Sequence, residues 1–154
     1  MRENLDAYKS YLAKVRIPIR IACNMKNDWP VVISLWFIYD GGYLYCATQE
    51  SARIVEYLLN NPRCGFEIAE DRPPYCGIRG RAKARIDKSL GPEILEKLLV
   101  RYLGDIHNSL AKKLLAKRET EVAIVLEPSQ VFSWDFSGRM SNLDYLQNAE
   151  KVCP

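Results

Sequence analysis

Residues 29–48 read WPVVISLWFIYDGGYLYCAT, and this stretch decides the fold. Two runs rich in β-branched and aromatic side chains flank Asp40-Gly41-Gly42. Such side chains suit a pleated, half-buried surface. Asp-Gly-Gly tolerates the positive φ angles that tight hairpin turns require. The stretch therefore predicts two long antiparallel strands.

Working outward, the next residues change period. In Ser51 to Leu59 the apolar positions Ile54, Val55, Leu58 and Leu59 follow helical spacing, Ser51 is placed as N-cap, and Asn60-Asn61-Pro62 stops the helix. Arg63 to Ala69 and Tyr75 to Ile86 return to strand character, with a turn at EDRPPY (residues 70–75) between them. Upstream, Leu5, Tyr8, Leu12 and Val15 mark one helical stripe from Glu3 to about Val15, and Ile17 to Cys23 alternates as a strand. Downstream, Gly91-Pro92 opens a helix carrying Ile94, Leu95, Leu98, Leu99 and Tyr102 on one face. A break at Gly104-Asp105 divides it from a short helix over Ser109 to Ala116, and Val122 to Phe136 is a strand with an interruption at Pro128. From Ser141 the chain is polar, a tail or an arm for a partner.

Strands and helices do not alternate throughout, which argues against a parallel βαβ sheet. A mainly β fold with flanking helices, an antiparallel sheet closed into a barrel, fits the order better. At 154 residues the chain forms one domain, residues 1–154. Hydrophobic residues at 48% and charged residues at 27% exclude extensive disorder. A net charge of +3 is too small and scattered to argue for nucleic acid, yet it accommodates an anionic ligand. No stretch approaches the apolar length of a membrane span or the core of a secretory signal, so a cytoplasmic location is the default expectation. The five cysteines form no C-x-x-C pair, and Cys23, Cys46 and Cys64 lie in or beside apolar runs, where buried free thiols are expected rather than a metal site.

Catalytic constellations are sparse. His107 is the single histidine, and no P-loop, H-E-x-x-H or G-x-G-x-x-G occurs. No side chain stands out as an acid or base. Such poverty suits a chain that binds, orients and shields a reactive cofactor. The best candidate site is CATQESARIVEYL (residues 46–58), where a strand ending at Thr48 feeds a helix start with Arg53 in its first turn. Backbone N–H groups and the dipole there attract phosphate, and an arginine opposing the dipole is explained by bidentate capture of that anion. A solvated helix arginine is the simpler account of Arg53 taken alone. A second cluster, Arg79, Arg81, Lys83 and Arg85, occupies one face of a strand by alternate spacing. An ordinary wet face explains it; an electropositive wall, or single-stranded RNA binding, are the functional alternatives. Trp36 and Trp134 are flat surfaces that serve a core or an aromatic ligand equally.

Taken together, PVVISLWFIYDGGYLYCATQESARIVEYLLNNPRCGF (residues 30–66) and PPYCGIRGRAKARI (residues 73–86) resemble the pyridoxamine 5'-phosphate oxidase-like FMN-binding split-barrel family, particularly its small uncharacterised members. The resemblance implies a six-stranded antiparallel split barrel, a homodimer, and FMN held where two subunits meet. It places Val32, Ile33, Ser34, Leu35, Trp36 and Phe37 along the flavin ring and ribityl chain, Ala47 and Thr48 on the paired strand, and Arg53 on the phosphate. Trp134 in the last strand matches more loosely. Where the family commonly reads S-R-K, this chain has Ala52, Arg53 and Ile54, so phosphate binding is expected to draw on Ser51, the helix start, Arg81 or Lys83 as well. Related split barrels hold a deazaflavin or haem, and His107 is the one imidazole available to haem iron. The expected function is flavin-dependent hydride or electron transfer to a small-molecule substrate. A haem protein and an RNA-binding module are the rivals.

Overall fold

A computed structural model describes residues 4–140 and 152–154 of the chain. A short 3-10 turn, Leu5–Tyr8, leads into α1 (Lys9–Lys14). Then come β1 (Ile19–Asn24), β2 (Pro30–Leu35), β3 (Ile38–Asp40) and β4 (Tyr43–Gln49). Helix α2 (Arg53–Asn60) separates them from β5 (Arg63–Ala69) and β6 (Cys76–Asp87). Helices α3 (Gly91–Leu103) and α4 (Ser109–Leu115) precede the long β7 (Glu121–Asp135). The polar tail expected from Ser141 falls outside the described residues except for its last three.

All strand pairs are antiparallel, in the order β2-β1-β5-β6-β7-β4-β3. The expected hairpin turn is present, with Gly41 and Gly42 at φ +55° and +88°. The strand before it is not the single long one expected. It breaks at Trp36-Phe37, so β2 pairs only with β1 while β3 pairs with Tyr43–Tyr45 of β4. Among the described residues the ladder consequently has seven strands, where six were expected. Tyr102 of α3 accounts for the break. Its ring stacks on Trp36 with centroids 4.9 Å apart, and its hydroxyl accepts from the Phe37 N–H at 3.3 Å while donating to the Ile17 carbonyl at 2.9 Å. The Phe37 backbone is thus engaged by a side chain instead of a neighbouring strand.

The break shapes the sheet. Its first and last strands are two halves of one run, separated by two residues, so the sheet must curl until its borders nearly meet. The inward row fills the main core with Ile19, Ile21, Phe37, Leu44, Cys46, Ile68, Ile78 and Ile124 among others, closed by the apolar faces of α1 and α2. Outside, α3 lies on Ala123 and Val125 of β7 and on Trp36 and Ala47. Arg101 ties α3 to the N-terminal helix: it donates to the Leu12 and Val15 carbonyls at 2.6 Å each and covers the Phe37 ring.

Cys23, Cys46 and Cys64 are buried free thiols, as their apolar settings imply. Cys76 and Cys153 form a disulfide, which pins the end of the chain to the start of β6. Nothing in the cysteine spacing announces that pairing. No helix among the described residues is long and apolar enough to cross a membrane.

Candidate functional site

Among the described residues, β4 past Tyr45 carries a strand on one side only, and so does β2. The two borders diverge from the break and leave a split between Ser34, Leu35 and Trp36 on one side and Ala47, Thr48 and Gln49 on the other. Leu95 and Leu98 of α3 and Leu114 of α4 roof it, Glu121 lies at its floor, and its volume is about 380 Å³. That size falls within the range of small-molecule sites. The lining is largely leucine and Trp36, with Ser34, Thr48, Gln49 and Glu121 as its polar residues. A flat, mostly apolar group with hydrogen-bonding edges fits such a slot.

Five of the residues expected to bind a cofactor therefore meet in one place: Ser34, Leu35, Trp36, Ala47 and Thr48. The others are dispersed. Strand alternation sends Ile33 and Phe37 toward the core, and Phe37 is 0% exposed, so its side chain is not available to line a ligand as the sequence reading had it. Val32 points outward but onto a second cleft, of about 450 Å³, with Arg20, Gly65, Glu67, Arg79, Arg81 and Phe132. Arg81 also joins Lys83 and Arg63 in a neighbouring polar cleft, where none of the three has an ion-pair partner among the described residues. Arg79, Arg81, Lys83 and Arg85 are all exposed along one face of β6, as their spacing requires. Trp134 lies beneath the Arg79 guanidinium, 5.5 Å from its ring centre, away from the split.

At the start of α2 one expectation is corrected. The N-cap is Ala52, not Ser51, and no side chain caps the helix, because the turn at Gln49–Ala52 carries Ser51 one position too early. The first amides of α2 are therefore open to solvent or to an anion. Arg53 is exposed at the first helical position, outside the split and with no ion-pair partner among the described residues.

Glu121 is the residue that sequence reasoning missed. It is 5% exposed, the one buried charged residue among those described. Burial pushes its carboxyl above the usual carboxylate range, and a hydrogen bond from Gln49 partly opposes that shift. Helix α3 presses on its main chain through Gly91: a Cβ there would stand 2.0 Å from the Glu121 carbonyl oxygen. The available signal was a carboxylate opening the apolar run Val122 to Leu126, at the register position facing Gln49.

His107 sits in the loop before α4, its main-chain N–H donating to the Asp105 carboxylate at 2.7 Å, beside a groove lined by Glu96, Lys97 and Val100. Those residues occupy the face of α3 opposite Leu95 and Leu98.

No known family profile matches the chain, and no curated protein matches it by sequence. Solved structures match it well. An F420 reductase superposes with a TM-score of 0.69 at 21% identity, over 81% of this chain and 95% of its own. A candidate pyridoxamine 5'-phosphate oxidase from Listeria innocua gives 0.63 at 20% identity, over 85% and 98%. HutZ, a haem storage protein from Vibrio cholerae, gives 0.63 at 18% identity, over 86% and 94%. At such identities the likeness is one of architecture, and it agrees with the curled antiparallel sheet and its split: the chain has the pyridoxamine 5'-phosphate oxidase-like split-barrel fold.

Proposed function

We propose that the chain is an FMN-binding flavoprotein, an oxidoreductase that passes hydride or electrons to a small-molecule substrate and works as a homodimer. The observation that carries this reading is the split itself, a cleft of about 380 Å³ between two strand borders lined by Trp36, leucines and a few polar residues. A bound flavin would supply the redox chemistry there. The chain's part is to hold and shield the ring: Trp36, Leu35, Leu95 and Leu98 exclude water, while polar residues of the lining offer hydrogen bonds. Arg53 and the uncapped amides of α2 stand just beyond Gln49, where the split ends, and suit a phosphate. Arg81 and Lys83 are further cations for an anionic group arriving from a second protomer.

The names of proteins sharing this fold include a reductase using the deazaflavin F420, an FAD-binding protein and a haem storage protein. Between flavins and haem, the position of His107 favours flavin, since the only imidazole lies across α3 from the split and is not available to ligate iron within it. FMN and a deazaflavin share their tricyclic ring and are both compatible with the slot.

The homodimer reading draws on the outer sheet face, where Val32 is 64% and Phe132 48% exposed. Glu67, ion-paired to Arg20 at 3.8 Å, lies among Arg79 and Arg81 on the same cleft, so the patch carries both signs of charge and can be complementary to itself across a two-fold axis. The test is a visible spectrum of the natively purified protein, followed by reconstitution with FMN. A yellow protein with flavin absorption is expected. A colourless protein that takes up neither FMN nor a deazaflavin refutes the proposal.

A further inference from the structure

The floor of the split holds a polar group that its surroundings leave half used. Glu121 opens β7 and faces Gln49 across the ladder. The Gln49 amide can point only one way: the Lys117 carbonyl accepts and never donates, so the amide nitrogen faces it at 3.2 Å. The same nitrogen donates to Glu121 Oε1 at 2.5 Å, and the amide oxygen meets the Thr120 hydroxyl at 2.5 Å. One carboxyl oxygen is thereby committed. No donor among the described residues reaches the other, although the side chain is buried and lines the split. With Gly91 packed against its main chain and Gln49 against its side chain, the group is held rather than loose. The second oxygen is not sealed from solvent, so a ligand entering the split can offer it a donor in place of water.

We propose that Glu121 is a specificity-determining residue of the split, its uncommitted oxygen accepting a hydrogen bond from a ring N–H of the ligand, so that the site selects a planar heterocycle with an imide-type edge. The inference rests on the flavin reading and adds which edge of the ring enters the floor. The isoalloxazine pyrimidine edge presents one N–H between two carbonyl oxygens, and the N–H is the donor that the Glu121 oxygen would accept. The deazaflavin ring shares that edge. The rim of a haem offers no N–H, so the same residue discriminates against it.

The test uses the full chain and a ring without a phosphate, so that tail contacts drop out. Lumiflavin and 3-methyllumiflavin, in which the imide N–H is blocked, are titrated against wild type, Glu121→Ala and Glu121→Gln by fluorescence quenching, with folding checked by circular dichroism. Wild type is expected to prefer lumiflavin by about tenfold or more, the usual weight of a hydrogen bond to a carboxylate. Glu121→Ala is expected to bring that ratio near one, and Glu121→Gln, which keeps a carbonyl acceptor, to retain part of it. A wild-type ratio near one overturns the proposal whether or not the variants fold, and so does a ratio that survives in Glu121→Ala; either result leaves flavin binding standing. Failure of wild type to bind both lumiflavin and FMN overturns the flavin reading and this inference with it.

Discussion

Replacing Gly91 by alanine tests how tightly the roof of the split is fastened to its floor. Gly91 is the first residue of α3, and an added Cβ would lie 2.0 Å from the Glu121 carbonyl oxygen and 2.4 Å from its carbonyl carbon. Ordinary contact begins at 3.4 Å, so helix and strand must part by about 1.4 Å, the difference between 3.4 and 2.0. Both partners are main chain, and no flexible side chain can give way. Overpacking of that kind costs about 3 kcal/mol, the upper end of its usual range. Alanine's better helix propensity returns at most about 1 kcal/mol. A net loss of about 2 kcal/mol should lower the melting temperature by roughly 4–8 °C for a domain of this length. Thermal denaturation followed by circular dichroism measures it. Gly65→Ala is the control, because a Cβ there makes ordinary contacts, 3.7 Å from the Gly80 carbonyl oxygen and 3.8 Å from the Ala22 Cβ. Since Leu95 and Leu98 move with the start of α3, flavin affinity should fall as well. If Gly91→Ala melts within 1–2 °C of wild type, as the control is expected to, the roof is not clamped to the floor as described.

Arg53→Ala should weaken FMN by roughly 1.5–3 kcal/mol, tenfold or more, if the guanidinium grips the phosphate; unchanged affinity in a fluorescence titration removes that role. Because the carboxyl of Glu121 is raised in the folded chain, the folded state holds its proton longer than the unfolded state does, so stability falls as pH rises from about 4.3 to the folded value and is level above it. Urea denaturation across pH should show that slope in wild type and lose it in Glu121→Gln; identical profiles contradict the shift. Of the five cysteines, three are free and buried, with the Cys64 thiol pushed up to about 12 by burial. A thiol reagent should find none reacting quickly in the native protein, three after denaturation and five after reduction; a fast native thiol would contradict the burial or the Cys76–Cys153 bond. Val32→Glu places a charge on the exposed apolar patch and should shift the protein toward monomer in sedimentation velocity, whereas an unaltered sedimentation coefficient moves the interface elsewhere.

Much of this architecture is local, and local features are legible. The Asp40-Gly41-Gly42 turn, the apolar face of α2 and the alternating cations of β6 each follow from side chains within a few residues of one another. The break at Trp36-Phe37 is not local. The hydrophobic alternation runs straight through it, and the cause is Tyr102, which stands 65 residues away from Phe37 in the chain. The same limit hid Glu121. A carboxylate ahead of an apolar run reads as the solvated end of a strand until α3 is seen pressed against it. Resemblance to known split barrels supplied the row from Val32 to Phe37 as one wall, whereas period-two geometry divides that row between a core and a surface.

The two residues between β2 and β3 look like a connection whose length could drift, because irregular segments usually absorb insertions and deletions. Here they cannot. One run of backbone supplies both borders of the sheet, so adding or removing a single residue at Trp36-Phe37 would invert the facing of every side chain on one border relative to the other. Either Ser34 would exchange places with Leu35, or Tyr39 with Ile38, and the seam would lose its match. This linker is therefore expected to tolerate changes of residue far better than changes of length.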